Sequence, residues 1–300
     1  EDPAIIYKKN CSPQLFDKYF EKHRFKLGWH PKPELDEFGV SVAEEVIRNE
    51  KPDLAMIHVS AVDIARHGNG MFGPAIDDAI RKVDNWLCRL EQAVSESGRF
   101  DETNFIIVSD HGHLKVDKQV NLNVLFKEEG LIQTDDHGEL VSYQAYCHSS
   151  GLSAQILLAD AADTEVRKKV EAILEYAKDT EAFGIKAIYT RREAEEKFQL
   201  SGPFEYVVEG VGGVAFAAKW DGRVVINEED PDYDYVKTSH GHRPHLGPQP
   251  VMLAKGPDFK KNVTIRECSI LDEVPTFAAV LGVEMEGLEG RCLHELLVRP

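Results

Sequence analysis

The sequence lacks any long hydrophobic run and carries much less positive than negative charge. No apolar stretch among the 300 residues approaches the roughly 20 residues of a membrane-spanning helix, so no membrane span is expected. The formal net charge of −17 argues against a nucleic-acid duplex or an anionic membrane surface as the main partner. Small anionic substrates remain compatible with this charge, because bound cations reverse the local sign of the field.

Cysteine is also scarce: the 5 cysteines are scattered and none belongs to a Cys-x-x-Cys pair. A zinc ribbon or a disulfide scaffold is therefore not expected, and a reducing, cytoplasmic compartment is favoured. The chain opens on Glu1 rather than Met, and no signal segment follows. It is therefore expected to be processed or cut from something longer, and an extracytoplasmic location fits if an upstream signal has been removed.

Short apolar runs alternate with amphipathic helical patterns in the first part of the chain. Leu54–Val59 and Phe105–Val108 each read as a strand buried on both faces, and Pro74–Val94 between them has the spacing of an amphipathic helix. Strand, helix, strand is the repeat of a parallel sheet covered by helices. The sequence thus predicts an α/β fold with a mostly parallel central sheet flanked by helices.

Composition changes near residue 140, and core-like sequence resumes near residue 236. Between them, a helix over Asp163–Lys178 and several short strands indicate an α+β cap over residues 141–235, inserted into a core of residues 1–140 and 236–300. A helix over Ile270–Leu281 is predicted near the end of the chain, with Leu271 and Val274 on its inward face.

Three loops next to predicted strands carry residues that bind metals. Asp63 and His67 lie four residues apart after the first strand, Asp110 and His111 follow the second strand directly, and His240 lies in a Gly/Pro-containing loop ahead of a later strand. Ligands gather beyond the carboxyl ends of parallel strands in such sheets. Imidazoles together with carboxylates suit Zn²⁺, Mn²⁺ or Fe and not Ca²⁺. Taken alone, each motif also has an explanation without a metal: its carboxylate caps a helix, or its histidine is solvated.

Further polar residues near these motifs are secondary candidates. His242 and Arg243 directly follow a predicted ligand and are expected to contact substrate oxygens, with plain solvent exposure as the alternative. His113 and His245 are candidates for the same role. His58, inside a predicted strand, reads as a buried histidine with a hydrogen-bond partner.

The order of the three motifs resembles that of the alkaline phosphatase superfamily, and most closely its type I phosphodiesterase/nucleotide pyrophosphatase branch. The resemblance covers about residues 40–135 and 236–300, and the middle region corresponds to a variable cap. It implies that Asp63, His67 and His240 bind one metal ion and that Asp110 and His111 bind a second. Two divalent ions are thus implied, Zn²⁺ first, with Mn²⁺ or Fe as alternatives.

The same resemblance implies a two-metal hydrolase of phosphate diesters or esters, acting on a small phosphorylated substrate such as a nucleotide. Its alternatives are another activity of the superfamily (sulfatase, phosphonate hydrolase or phosphomutase) or a non-catalytic metal-binding remnant. The family also uses a Ser or Thr nucleophile and a further metal-binding Asp on strands ahead of these motifs. Neither is recognisable in this sequence. The segment that bears them is missing from this sequence, forms a separate chain, or has been lost.

Overall fold

The computed structural model describes residues 3–27 and 34–298. Helices occur throughout this part of the chain, and none of them has the length and apolar character that crossing a bilayer requires. The α-helices are α1 Pro3–Asn10, α2 Pro13–Leu15, α3 Glu21–His23, α4 Glu34–Glu50, α5 Ala61–Asn69, α6 Pro74–Ser97, α7 Leu122–Glu128, α8 Thr164–Asp179, α9 Arg191–Phe198 and α10 Glu273–Leu281.

The strands are short and form several small sheets. They are β1 Phe105–Val108, β2 Leu114–Lys115, β3 Lys118–Val120, β4 Ile132–Thr134, β5 Leu140–Tyr143, β6 Ala145–Ser149, β7 Ser153–Leu158, β8 Ile185–Thr190, β9 Tyr206–Gly210, β10 Val214–Phe216, β11 Val225–Asn227, β12 Thr238–Ser239 and β13 Met252–Lys255.

The sheets are mixed, with antiparallel pairing in the majority. Their strand orders are β1-β13, β10-β3-β11, β12-β2, β4-β5 and β6-β7-β9-β8. Across residues 3–27 and 34–298, the pairing of β10 with β3 is the one parallel pairing of named strands. The predicted mixture of helices and strands is confirmed, whereas a mostly parallel central sheet is not.

The chain divides into two compact units, the first formed by residues 1–64, 77–110 and 250–300 and the second by residues 65–76 and 111–249. The predicted cap, residues 141–235, lies within the second unit. The division into a core and an inserted cap stays a prediction.

The second unit is built on the sheet β6-β7-β9-β8 and on α8. The side chain of Asp163 accepts hydrogen bonds from the backbone N–H groups of Glu165 and Val166, and so caps the first turn of α8. The buried face of α8 packs into the largest apolar cluster, together with residues of β6, β7 and β9. Its buried residues are the ones whose spacing predicts the helix: Val166, Val170, Ile173, Leu174 and Ala177.

The first unit contains the helices α4 and α6, which pack on each other. Val40 of α4 lies in one apolar cluster with Trp86 of α6, and Ile47 of α4 lies in a second with Ala93 of α6. Phe105 of β1 packs against the second cluster. The helix predicted over Pro74–Val94 and the strand predicted over Phe105–Val108 are therefore confirmed as elements.

Several apolar residues of the first unit that were predicted to be buried are exposed. Leu54–Val59 forms no strand, and Met56 is 88 % exposed. On α10 and the turn before it, Leu271 is 49 % and Val274 is 45 % exposed. The prediction of burial is wrong at these positions, because no strand or helix of the described residues covers them.

The same correction applies to β1 and to His58. β1 pairs with β13 in antiparallel orientation, and Val108 is 45 % exposed, so this strand is not buried on both faces. His58, predicted to be buried, is exposed. A strand with one neighbour leaves its other edge and much of its surface open to solvent.

Candidate metal centre

Asp63 and His67 are carried by one helix, α5. Asp36, which is 5 % exposed, accepts hydrogen bonds from the backbone N–H of Ser60 at 3.0 Å and from its hydroxyl at 3.2 Å. These two hydrogen bonds fix the position of Ser60, the residue just before the first turn of α5. Residues four apart on a helix lie on the same face, and Asp63 and His67 are four residues apart on α5.

The imidazole of His67 is oriented by a backbone carbonyl. Its Nδ1 lies 2.6 Å from the carbonyl oxygen of Thr238, which is fully buried. Because a carbonyl oxygen only accepts hydrogen bonds, Nδ1 must be the donor. In the neutral ring the lone pair is then on Nε2, which is the arrangement that metal-binding histidines commonly have.

A two-residue ladder places His113 and His240 opposite each other. β2 pairs with β12 so that Leu114 faces Ser239 and Lys115 faces Thr238. His113 directly precedes β2 and His240 directly follows β12, so the same register continued by one step brings the two histidines together. Their ring centroids lie 5.5 Å apart.

Four imidazoles of the second unit form one cluster. The rings of His111 and His240 are stacked, with centroids 3.8 Å apart. The centroid of His67 lies 5.2 Å from that of His240 and 4.9 Å from that of His113. Three of these histidines come from predicted metal motifs, and the structure adds His113 to them.

Close backbone approach explains two of the glycines in the motifs. A Cβ atom on Gly112 would overlap the backbone carbonyl of Pro248, and one on Gly241 would overlap the carbonyl oxygen of Ser150. Gly241 also has φ of +88°, where residues with a side chain are strained. The glycine that follows His111 and the glycine that follows His240 are therefore required by local packing.

Asp110 follows the end of β1, as predicted. Between the strand and this carboxylate, the backbone N–H of Ser109 donates to the carbonyl of Val251 at 3.1 Å. The Ser109 hydroxyl accepts from the N–H of Val251 at 3.0 Å. These two hydrogen bonds hold Ser109, the residue before Asp110, to Val251, the residue before β13.

His242 and Arg243 have different surroundings. Burial lowers the pKa of His242, and the charge of the nearby His111 lowers it further. His242 lines a cavity of about 140 Å³ together with Lys186 and Glu209. Arg243 donates from Nη2 to Glu209 at 2.9 Å, and this carboxylate is 4 % exposed. A structural ion pair thus occupies Arg243, and substrate contact by either residue stays a prediction.

Thr238 is the residue of this site that sequence reasoning missed. Its carbonyl holds His67, and its hydroxyl oxygen lies 3.0 Å from Nδ1 of His113. The only available signal was its place directly before the Ser239-His240-Gly241 motif.

The donor set fits a divalent transition metal. Zinc, manganese and iron sites combine imidazoles with carboxylates, the ligand types that the four histidines and Asp63 carry. The carbonyl partner of His67 supplies the outer contact that orients a ligand ring in such sites. Candidate ligands of the types that hold such a metal are therefore present among the described residues.

Comparison with known proteins identifies relatives of the chain. Residues 3–243 match the family model of type I phosphodiesterase / nucleotide pyrophosphatase. Two proteins of Caenorhabditis elegans named ectonucleotide pyrophosphatase/phosphodiesterase are each 22% identical, over 93% and 79% of this chain but over 31% and 25% of their own length. The chain thus spans about a third or less of these curated relatives.

Solved structures resemble the fold of the chain. Murine ectonucleotide pyrophosphatase / phosphodiesterase 5 matches with a TM-score of 0.63 at 20% identity, over 87% of this chain and 64% of that one. The human protein matches with a TM-score of 0.66 at 19% identity, over 88% and 64%. An inactive form of the murine protein in complex with AMP also matches, with a TM-score of 0.63 at 20% identity, over 87% and 63%.

Proposed function

Because the chain belongs to the type I phosphodiesterase / nucleotide pyrophosphatase family, we propose that it contributes the metal-binding residues of a two-metal centre that hydrolyses phosphate diesters or esters. The observation that carries the proposal is the cluster of four imidazoles, in which His67 has its tautomer fixed by the carbonyl of Thr238. A histidine held in this way is prepared to bind a metal through Nε2.

In this proposal Asp63, His67 and His240 bind one ion, and Asp110 and His111 bind the second. The position of Asp63 one helical turn before His67 supports the first set, as does the proximity of His67 to His240. Two divalent ions held by these residues would supply an activated nucleophile and would stabilise the oxygens of the transferred phosphoryl group. Zn²⁺ is the first choice for ligands of this kind, and Mn²⁺ and Fe are the alternatives.

The substrate in this proposal is a small phosphorylated molecule, and a nucleotide is its best candidate. The complex of the murine relative with AMP supports this choice. The names of the Caenorhabditis elegans relatives contain the prefix "ecto", which favours an extracytoplasmic location over the cytoplasmic one that the scattered cysteines suggested.

The nucleophile and the remaining ligands of the second ion come, in this proposal, from polypeptide outside the 300 residues. No Ser or Thr here has the required strand context, and the chain spans 31% of one curated relative. We also propose that β1 belongs to a larger, mostly parallel sheet and that residues 141–235 form the cap of that core. The exposed apolar residues of β1, of residues 54–59 and of α10 support such an additional layer.

Metal binding by the purified chain tests the proposal. We expect tight binding of one equivalent of Zn²⁺ and weaker binding of a second, measured by elemental analysis and by chelator competition. His240→Ala should lower the affinity of the tight site at least ~100-fold, since it removes a ligand. His245→Ala, at an exposed histidine five residues further along, is the matched control and should bind as the unchanged chain does.

Absence of bound Zn, Mn and Fe from the unchanged chain would refute the proposal, as would equal metal loss in the two variants. Hydrolysis is tested with the chain as part of the complete protein that contains it. A phosphodiester, a phosphomonoester and a sulfate ester of nitrophenol are compared side by side. The phosphodiester should be preferred, and preference for the sulfate ester would assign the chain to a different activity of the superfamily. Absence of metal-dependent activity on all three esters would indicate that the chain is a non-catalytic metal-binding module.

A further inference from the structure

We propose that His113 is an additional ligand of the ion that His67 binds, and that Thr238 positions both imidazoles. This inference rests on the proposed two-metal function, which assigns Asp63, His67 and His240 to that ion and gives no metal role to His113. It also makes Thr238 a positioning residue, acting through the two histidines.

The burial of His113 is the first observation in favour. His113 is 2 % exposed, whereas most histidines of the predicted metal motifs are only partly buried. Burying an imidazole requires that its nitrogens find polar partners or a metal. One of them, Nδ1, lies 3.0 Å from the hydroxyl oxygen of Thr238.

The second observation is that Thr238 contacts the Nδ1 atom of two imidazole rings. The carbonyl oxygen of Thr238 accepts from Nδ1 of His67, and the hydroxyl oxygen of Thr238 meets Nδ1 of His113. When the hydroxyl accepts from His113, both rings carry their lone pair on Nε2. Two histidines that are oriented in common and have the same tautomer can bind one ion.

The third observation is distance. One ring nitrogen of His67 and one ring nitrogen of His113 lie within 4.8 Å of each other, and the two ring centroids are 4.9 Å apart. Two nitrogens bound to one zinc ion, at about 2.0–2.1 Å each, lie no more than about 4.2 Å apart. In a tetrahedral site the two nitrogens would lie about 3.4 Å apart, so metal binding would draw the two rings closer together. The ladder of β2 and β12 explains the placement, because it sets His113 opposite the proposed ligand His240.

Substitution at both residues tests the inference. His113→Gln keeps a polar side chain and should weaken Zn²⁺ binding at the tight site about 10- to 100-fold in chelator competition. It should also change the visible spectrum of the Co²⁺-loaded chain, because one imidazole leaves the ion. Thr238→Val should weaken binding about tenfold, whereas Thr238→Ser, which keeps the hydroxyl, should restore it.

A direct measurement on the unchanged chain avoids any dependence on folding of the variants. With ¹⁵N-histidine and ¹¹³Cd²⁺ as the bound ion, we expect a ¹¹³Cd–¹⁵N coupling at Nε2 of His113 as well as at Nε2 of His67. Coupling at His67 and His240 without coupling at His113 would overturn this inference and leave the proposed function intact. Coupling at none of them, with no metal bound, would instead refute the proposed function.

The variants separate the same two cases. If His240→Ala loses the ion while His113→Gln keeps both the affinity and the Co²⁺ spectrum, His113 is a structural histidine and the inference is wrong. A drop in the melting temperature of the metal-free chain alone would likewise favour a structural role. Loss of affinity in Thr238→Val that Thr238→Ser does not restore would contradict the role given to the hydroxyl.

Discussion

The carboxylate of Glu37 is expected to stabilise the first unit through its charge. It accepts hydrogen bonds from Nε1 of Trp86 at 2.7 Å and from Nη1 of Arg89 at 2.9 Å. Lys26 donates to it at 3.2 Å and the hydroxyl of Ser41 at 3.1 Å. Burial by itself would raise the pKa of this carboxyl, but the hydrogen bonds from Arg89, Trp86 and Lys26 outweigh it and lower the pKa to about 2.

The size of the effect follows from the change in pKa. A decrease from the ordinary value of 4.5 to about 2 corresponds to about 3 kcal/mol, at 1.36 kcal/mol per pKa unit. The Glu37 side chain is 30% exposed, so solvent screening reduces this to about 1–2 kcal/mol. Because the pKa is lower in the folded state, this stabilisation is fully present above about pH 4.5. The stabilisation is lost as the pH falls through the folded-state pKa, near 2.

Glu37→Gln removes the charge and keeps the size of the side chain. We expect the free energy of unfolding to fall by about 1–2 kcal/mol at pH 7 in urea titrations followed by circular dichroism and tryptophan fluorescence. The difference between Glu37→Gln and the unchanged chain should shrink between pH 4.5 and pH 2. Glu267→Gln, at an exposed loop carboxylate, is the control and should change stability by less than about 0.5 kcal/mol.

Two results would refute this reasoning. One is a loss of stability at pH 7 no larger than that of the control. The other is a loss that stays constant down to pH 2, since it would then come from shape and not from charge. The comparison between variants is needed because many other carboxylates are protonated over the same pH range.

Two further predictions concern the second unit. Asn123→Ala should lower the unfolding free energy of this unit by about 2–4 kcal/mol in urea titrations. The fully buried amide of Asn123 donates to the carbonyl of Cys147 and accepts from its N–H, and the substitution leaves both backbone groups without these bonds. A loss in Asn123→Ala no larger than that in Gly222→Ala would contradict this. Gly241→Ala should cost about 2 kcal/mol or more and weaken Zn²⁺ binding, since its Cβ would overlap the carbonyl of Ser150 beside the proposed ligand His240. Gly222→Ala is the control, because Gly222 has a similar φ of +85° and no atom within 4 Å of a Cβ. Equal effects of the two glycine substitutions on metal affinity would refute the steric argument.

Helices of the chain could be predicted from sequence because their signals are local. The spacing of Val166, Val170 and Leu174 places these residues on one side of α8, and an Asp directly ahead of the helix caps it. The same holds for α6, whose residue Trp86 is buried as its spacing predicts. Periodicity identifies which face of a helix is apolar wherever the partner that covers the face also lies within the chain.

Burial at strands and at α10 could not be predicted in this way. An apolar run such as Leu54–Val59 shows that the residues are suited to a buried strand, but strand formation needs a neighbouring strand to pair with. The sequence of the run does not contain that neighbour. On α10, Val274 of the predicted inward face is 45 % exposed, because no strand or helix of the described residues covers it.

The metal motifs were visible in the sequence because Asp and His following apolar runs are chemically distinctive. The residues that orient them were not visible. Thr238 acts through its backbone carbonyl as much as through its hydroxyl, and every residue has a carbonyl. The ladder that brings His113 to His240 has only two residues in each strand, too few for an alternating pattern to be recognised.

The proposed function gives one explanation for the exposed apolar surface of the first unit and for the short ligand set of the proposed second ion. β1 leads directly to Asp110 and His111, and Val108 at its end is 45 % exposed. Ligands in sheets of this kind follow the ends of neighbouring strands, so a strand that covered the open edge of β1 would deliver its own polar residues next to Asp110. In this proposal, a polypeptide that buried these apolar residues would also supply the remaining ligands of the proposed second ion. This is why we assign the nucleophile to a neighbouring strand and not to an undetected residue of the loops.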